Sequence, residues 1–367
     1  LLINHRDPKH PFAGGAEEYI FQIGRRLVKR GHKVTLLAER PSGLSGEEII
    51  EGIRVIRMGG FLGFHAHAPN YVRQHSPEYD VVVDNVAHVF PFFSGFFTRT
   101  PVVAVVHHIN GSALRKIFPA PLVPLAFVAE NLLAKAYRNY IAVSKSTKND
   151  LVRLGVRGDV IRIVYSGIDH EIYRPGEKAE EPTAIWIGRF VKYKNPDHAV
   201  KAFSIAQKKI PSAKLIMVGS GPLYRQTMRL AQNLNVNVEF VGRIPLKEKI
   251  DYLQKAWTCI YTSEIEGFGI AALEAAACGT PCVGYSVGGL REAIIHGRTG
   301  YLVPKGDILR IAEVMIKMLS SIELVEELSR EALRYSMLFD WERSAEEFEK
   351  ALKEIAWRSW LLAKRDS

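Results

Sequence analysis

The chain has 367 residues, 47% of them hydrophobic, which is enough to fill two cores rather than one. Its 49 Lys and Arg against 39 Asp and Glu give a net charge of +10, which suits anionic ligands, an anionic membrane surface or nucleic acid; no basic run with interleaved aromatics supports the last. The three cysteines, Cys259, Cys278 and Cys282, form no C-x-x-C pair and have no histidine at zinc-ligand spacing, so they read as buried thiols in a reducing compartment.

In chain order, 1–4 reads as the visible end of a buried strand, followed by a loop rich in Pro, His and Gly. The first residue is Leu, not Met, so a few residues are expected to precede it. A helix is predicted from Gly14-Gly15, with Glu17 and Glu18 in its first turn, an apolar stripe of Ile20, Ile23, Leu27 and Val28, and a stop at Gly31. A strand at 34–37 completes a βαβ unit. Further strands are predicted at 53–57, 81–83, 102–106, 140–143 and 161–164, and the alternation points to a parallel sheet wrapped by helices. The strand at 102–106 runs into His107-His108, which places a histidine at a strand's C-terminal end, where ligands of such sheets bind. The phenylalanine-rich stretch 90–97 and the apolar 114–137, which carries Arg115 and Lys116, read mainly as core; the alternative is a peripheral patch on an anionic membrane.

The charged, proline-bearing segment 173–182 reads as an interdomain linker. A second alternation follows, with strands at 185–187, 215–218, 238–241, 259–261 and 282–285. The first of these leads into Gly188-Arg189 and, five residues later, Lys194. Gly219-Ser-Gly221 invites a dinucleotide-binding reading, but it lacks the third glycine and an acidic residue ending the next strand. From Ile308 the chain reads as helical, and its last helix, at 344–363, is amphipathic with Trp357 and Trp360.

The stretch 263–281 is the most informative. Glu266 sits in a glycine-broken loop, and 270–278 reads as a short helix stopped by Gly279 and Pro281. The helix N-terminus follows Gly267, Phe268 and Gly269, so free amides and the positive dipole end can take a phosphate, while Glu266 and Glu274 can accept hydrogen bonds from sugar hydroxyls. A diphosphate between two sugars satisfies both features.

Glu266 and Glu274, with seven residues between them and Gly-Phe-Gly after the first, resemble the E-x7-E signature of retaining nucleotide-sugar glycosyltransferases, specifically glycosyltransferase family 4 with the GT-B fold. That resemblance implies two facing Rossmann-like, doubly wound α/β domains with a cleft between them. The domains expected are an acceptor-side domain at 1–172, joined by a C-terminal helix at 344–367 that crosses back, and a nucleotide-sugar-binding domain at 173–343. It also implies roles for particular residues. His107, Arg189, Lys194 and Glu266 would be catalytic. Gly15, Gly188, Gly242, Arg243, Gly267, Phe268, Gly269, Ile270 and Glu274 would bind the donor, with Glu274 on the ribose. Ser166-Gly167-Ile168-Asp169 resembles the family's N-G-[IV]-D turn with Ser for Asn, and Asn195 stands where Gly is commoner. Gly288-Gly289, Glu292, Gly297, Gly300 and Leu302-Val303 match its closing segment.

The activity implied is retaining transfer of a hexose from a nucleoside-diphosphate sugar to a hydroxyl of a sugar, lipid or small-molecule acceptor. No D-x-D motif occurs, so no metal and no cofactor are expected. A GT-B sugar phosphorylase, a nucleotide-sugar epimerase and a non-catalytic nucleotide-sugar binding module are the alternatives. No segment reaches the ~18 apolar residues of a membrane span and no signal peptide precedes the first strand, so a cytoplasmic location is expected, with peripheral membrane contact as the alternative.

Overall fold

The computed structural model describes residues 1–60, 63–87 and 90–365; residues 366 and 367, the end of the helix expected to cross back, lie outside the described residues. The chain divides into two compact units, one of residues 1–114, 118–167 and 341–367, the other of residues 115–117 and 168–340.

The first unit is built on an eight-stranded sheet. Its strands are β1 (Leu2–Ile3), β2 (Thr35–Glu39), β3 (Glu47–Ile50), β4 (Ile53–Met58), β5 (Val82–Val86), β6 (Val102–Val106), β7 (Asn139–Ala142) and β8 (Ile161–Ile163), in spatial order β3-β4-β2-β1-β5-β6-β7-β8. All neighbours pair in parallel except the edge pair β3 and β4. The central strands are buried throughout, as helix-covered parallel strands must be, and their Val- and Ile-rich runs fill the core. The helix Trp341–Arg365 returns to this unit after the second is complete. It docks on the first helix, Gly15–Lys29, through Arg26 Nε donating to Glu342 at 2.8 Å and the Trp341 ring lying 6.0 Å from Tyr19.

The second unit holds β9 (Thr183–Ile187), β10 (Lys214–Val218), β11 (Val238–Gly242), β12 (Thr258–Tyr261), β13 (Cys282–Tyr285) and β14 (Gly300–Val303). They form one parallel sheet in the order β11-β10-β9-β12-β13-β14.

The division corrects two expectations. The units part at Gly167/Ile168 and Asp340/Trp341, not at 172/173 and 343/344. Ile168 is already part of the second unit because its amide donates to Phe339 O at 3.2 Å and it bridges to Asp340. The segment 173–182 is likewise no free linker. Lys178 Nζ donates to Gln254 O at 3.0 Å and to Thr280 Oγ1 at 2.7 Å, and Trp257 Nε1 donates to Ala179 O at 2.7 Å. Burial of the Lys178 ammonium pushes its pKa down to about 7, the cost of taking that charge from water.

Among the described residues no helix is long and apolar enough to cross a membrane.

Candidate functional site

Because the strands of the second unit are parallel, their C-terminal ends share one edge of the sheet, where ligands of open α/β sheets bind. Along that edge, in spatial order, stand Gly242-Arg243 at the end of β11, Gly219-Ser220-Gly221 after β10, Gly188-Arg189 after β9, and Thr262 to Glu266 after β12. Gly219 and Gly221 are required by contact: a Cβ would lie 1.9 Å from Gly188 O at the first and 2.6 Å from Phe190 O at the second. They let two loops press together, with Phe190 N donating to Ser220 O at 2.9 Å, and Ser220 Oγ in turn accepts from Arg243 Nε at 2.7 Å.

Lys194 is delivered by a single turn that ends at Asn195, whose φ of +44° is left-handed. Asn tolerates that conformation better than other residues with a Cβ, which accounts for its place where Gly is common. The Asn195 amide donates to Thr262 O and to Glu264 Oε1, both at 3.1 Å, locking the turn to the end of β12. Lys194 thereby reaches Glu266 and forms an ion pair with its carboxylate. The Tyr193 ring lies against two cations, 5.7 Å from Lys194 Nζ and 5.9 Å from Arg189 Cζ, and Arg189 also donates to the Tyr193 hydroxyl. Lys192, in the same turn, is exposed.

The loop carrying Glu266 is walled by the closing glycines. A Cβ on Gly288 would lie 2.2 Å from Glu266 O, and one on Gly289 would lie 2.2 Å from Gly267 O; Gly289 N donates to Glu266 O at 2.9 Å. Phe268 is buried against Phe339, 5.3 Å between rings. Gly269, at φ +90°, starts the helix Ile270–Ala277, whose first amides have no carbonyl partner within the helix. Glu274, on that helix, receives two donors at its carboxylate: the Tyr173 hydroxyl at 2.6 Å on one oxygen and Lys249 Nζ at 2.6 Å on the other.

In the first unit the predicted His107 and Ala16, the neighbour of the predicted Gly15, belong to one network. Asn85, at the end of β5, donates to Asn4 Oδ1 at 3.1 Å and to Ala16 O at 3.3 Å, and its Oδ1 lies 2.7 Å from His107 Nε2. A carbonyl only accepts, so the Asn85 amide nitrogen faces Ala16 and His107 Nε2 must carry the proton. Burial pushes the His107 pKa down to about 3, which keeps the ring neutral at pH 7 with Nδ1 as an acceptor. Its carbonyl accepts from Thr147 Oγ1 at 3.0 Å, and its ring meets Tyr19 edge-on at 5.3 Å. Gly15 opens its helix after Gly14, whose amide donates to Glu17 Oε2 at 2.8 Å. The loop before it is fastened by the fully buried pair of Arg57 and Asp7, joined at 2.6 and 3.0 Å.

Two family models match the chain. The model of Glycosyltransferase Family 4 matches residues 13–172, and that of Glycosyl transferases group 1 matches residues 169–334. The chain is a family 4 glycosyltransferase. It is similar to the N-acetyl-alpha-D-glucosaminyl L-malate synthase of Bacillus anthracis, at 26% identity over 86% of this chain and 87% of that protein. Among solved structures, the sucrose-phosphate synthase of Thermosynechococcus elongatus superposes with a TM-score of 0.82 over 96% of this chain and 98% of that one, at 22% identity. Anabaena HepE in complex with UDP-glucose gives 0.77 over 96% and 98%, at 20% identity. At such identity these likenesses show the GT-B fold.

In the second unit of this glycosyltransferase Glu266 stands with Lys194 and, separately, Glu274 stands with Lys249 and Tyr173. Lys249 and Tyr173 were not foreseen. Lys249 lies in a helix, Leu246–Lys255, with three lysines and no distinguishing spacing. Tyr173 follows the Ser-Gly-Ile-Asp turn closely, and that proximity was the available signal. Among the described residues no group of three or more His, Cys, Asp or Glu is placed to hold a metal ion.

Proposed function

We propose that this glycosyltransferase moves a hexose, with retention of anomeric configuration, from a nucleoside-diphosphate sugar to a hydroxyl acceptor without a divalent metal. The observation that carries the reading is the Glu266 to Glu274 segment: a glycine-walled loop and a helix N-terminus between two carboxylates, with Lys194 on the first. The diphosphate would lie at the amides that follow Gly269, the ribose at Glu274 and the transferred sugar at Glu266. Gly188, Gly242 and Arg243 would approach the nucleotide, and Gly15 would be a further donor-binding residue.

In the reaction, the bond from the anomeric carbon to the phosphate oxygen breaks and a bond to the acceptor oxygen forms on the same face. The acceptor proton passes to the departing phosphate, so no side chain need act as nucleophile. Arg189 and Lys194 would offset the charge that grows on the diphosphate, the part a metal ion plays elsewhere. His107 would be catalytic as a neutral ring, since its Nδ1 can accept from a hydroxyl without adding charge. The complexes of HepE with UDP and with UDP-glucose support a uridine donor as the first to try.

We also propose that the first unit touches an anionic membrane through the helix Val123–Ala136. Leu122, Leu125, Val128 and Leu132 are each about half exposed, at 46–56%, and Lys135 and Arg138 are exposed beyond them. The helix's one acid, Glu130, is buried and accepts from the amides of Asn110 at 2.6 Å and Gly111 at 2.9 Å, leaving apolar and cationic side chains outward. Phe96 and Phe97 are also exposed, whereas Phe92 is core.

The donor assignment is tested by thermal unfolding with UDP-, GDP- and ADP-sugars. A true donor at 100 times its dissociation constant should stabilise the protein by about 2.7 kcal/mol. Failure of every nucleotide sugar to stabilise the protein would remove the proposal.

A further inference from the structure

We infer that Tyr173 and Lys249 set the ribose selectivity of the donor site by fixing the Glu274 carboxylate before the donor arrives. The inference rests on the assignment of Glu274 to the donor ribose. Three segments far apart in the chain converge on this one group: Tyr173 is 101 residues from Glu274, and Lys249 is 25. The Tyr173 hydroxyl and Lys249 Nζ each take one carboxylate oxygen at 2.6 Å, and Nζ also lies 3.3 Å from that hydroxyl and 5.4 Å from the centre of the tyrosine ring. The cluster is closed, and the Glu274 side chain is only 12% exposed.

A solvated surface ion pair holds no such geometry, since its long side chains sample many arrangements. Here rotation of the carboxylate would break two hydrogen bonds at once. Each carboxylate oxygen can accept two hydrogen bonds, so one place remains on each, side by side, for the two vicinal hydroxyls of a ribose. Holding the acceptor in that orientation lowers the cost of ordering it on binding. Tyr173 is itself held, because the segment after it is tied down by Lys178 and Ala179.

The two partners differ in charge, and this separates their effects. Tyr173 contributes orientation alone. Lys249 contributes orientation and a cation that offsets the negative charge of Glu274, which would otherwise repel the diphosphate.

The test is calorimetric binding of UDP, GDP and ADP, of their 2′-deoxy forms and of the corresponding monophosphates, to the full chain. Wild type is expected to favour the ribonucleotide by about tenfold, the worth of one charge-assisted hydrogen bond. Tyr173→Phe should reduce that preference severalfold with little effect on the 2′-deoxy form. Lys249→Met should reduce it too and weaken diphosphates more than monophosphates, and Lys249→Arg should recover the phosphate effect without the full preference.

Equal losses for ribo and deoxy forms in Tyr173→Phe and Lys249→Met would mean a merely structural role and would overturn the inference. Glu274→Ala separates the two levels. If it abolishes the preference while Tyr173→Phe and Lys249→Met keep it, the inference fails and the ribose assignment stands. If Glu274→Ala itself keeps the preference, the ribose assignment fails. Absence of nucleotide binding by wild type overturns both.

Discussion

Replacing Gly289 by Ala tests whether the loop carrying Glu266 is set by the glycines beneath it. The backbone at Gly289 has φ −70°, which alanine adopts freely, so no conformational strain enters. The added Cβ would lie 2.2 Å from Gly267 O and 2.3 Å from Phe268 Cα, against an ordinary contact of at least 3.4 Å. Relief needs a displacement of roughly 1.2 Å, and the neighbours are backbone atoms with no side chain to swing away. A shift of about 1 Å at a reacting centre costs on the order of a hundredfold in rate, and overpacking of this kind costs about 1–3 kcal/mol of stability. Turnover at saturating donor should therefore fall by about two orders of magnitude while the protein remains folded, and the free nucleoside diphosphate should lose less affinity than the rate loses. Wild-type turnover together with an unchanged melting temperature would refute the reasoning, because the loop would then not depend on that contact.

Arg189→Ala and Lys194→Ala should each lower turnover on the order of a hundredfold with a smaller change in donor affinity, and Arg189→Lys should fall short of wild type; near-full rates at saturating donor would show the diphosphate lies elsewhere. Wild-type protein should sediment with anionic vesicles at low salt and be released at high salt, and Leu125→Asp should abolish the binding; a protein that stays in the supernatant at low salt has no such surface. Acid should destabilise the fold through His107, whose folded pKa of about 3 lies below its unfolded value of 6.5. The unfolded chain then binds the proton that the folded chain refuses, so this part of the stability is present above pH 6.5 and is lost as pH falls towards 3. At pH 4.5 the loss is on the order of 3 kcal/mol, and it should be missing from His107→Gln in denaturant titrations; equal losses in both proteins would contradict the burial argument.

The second unit was the more legible half. The helix at Ile270–Ala277 and its glycine entry stood out in the sequence because Gly269 must adopt a left-handed φ and the alanine-rich run that follows has nowhere to go but helix. Contacts that join distant segments were not legible. Nothing about Lys249, and only the nearby Ser-Gly-Ile-Asp turn for Tyr173, hints that both meet Glu274, and the charged stretch after Tyr173 looked like a linker because composition does not reveal that Lys178 and Trp257 tie it down.

β3 was missed for a local reason. Glu47–Ile50 is short and half exposed, and its hairpin turns through Glu51 and Gly52, both at positive φ, instead of through the Asn-Gly that would announce it. β14 was not among the predicted strands because Gly300 and its neighbours resemble loop sequence; at Gly300 a Cβ would lie 2.1 Å from Cys282 O, so the glycine is there to admit the neighbouring strand. In the first unit His107 was placed by its strand end, while the network through Asn85 that fixes its tautomer depends on three strands meeting and left no mark in the sequence.

The central claim, retaining transfer from a nucleotide sugar, is tested most directly by time-resolved proton NMR of the sugar first released from an α-linked donor such as UDP-glucose, with water as the acceptor. The account predicts that the α-anomer forms first and that its formation slows on the order of a hundredfold in Lys194→Ala. Initial release of the β-anomer would contradict retention, and no release from any nucleotide sugar would contradict the transfer itself.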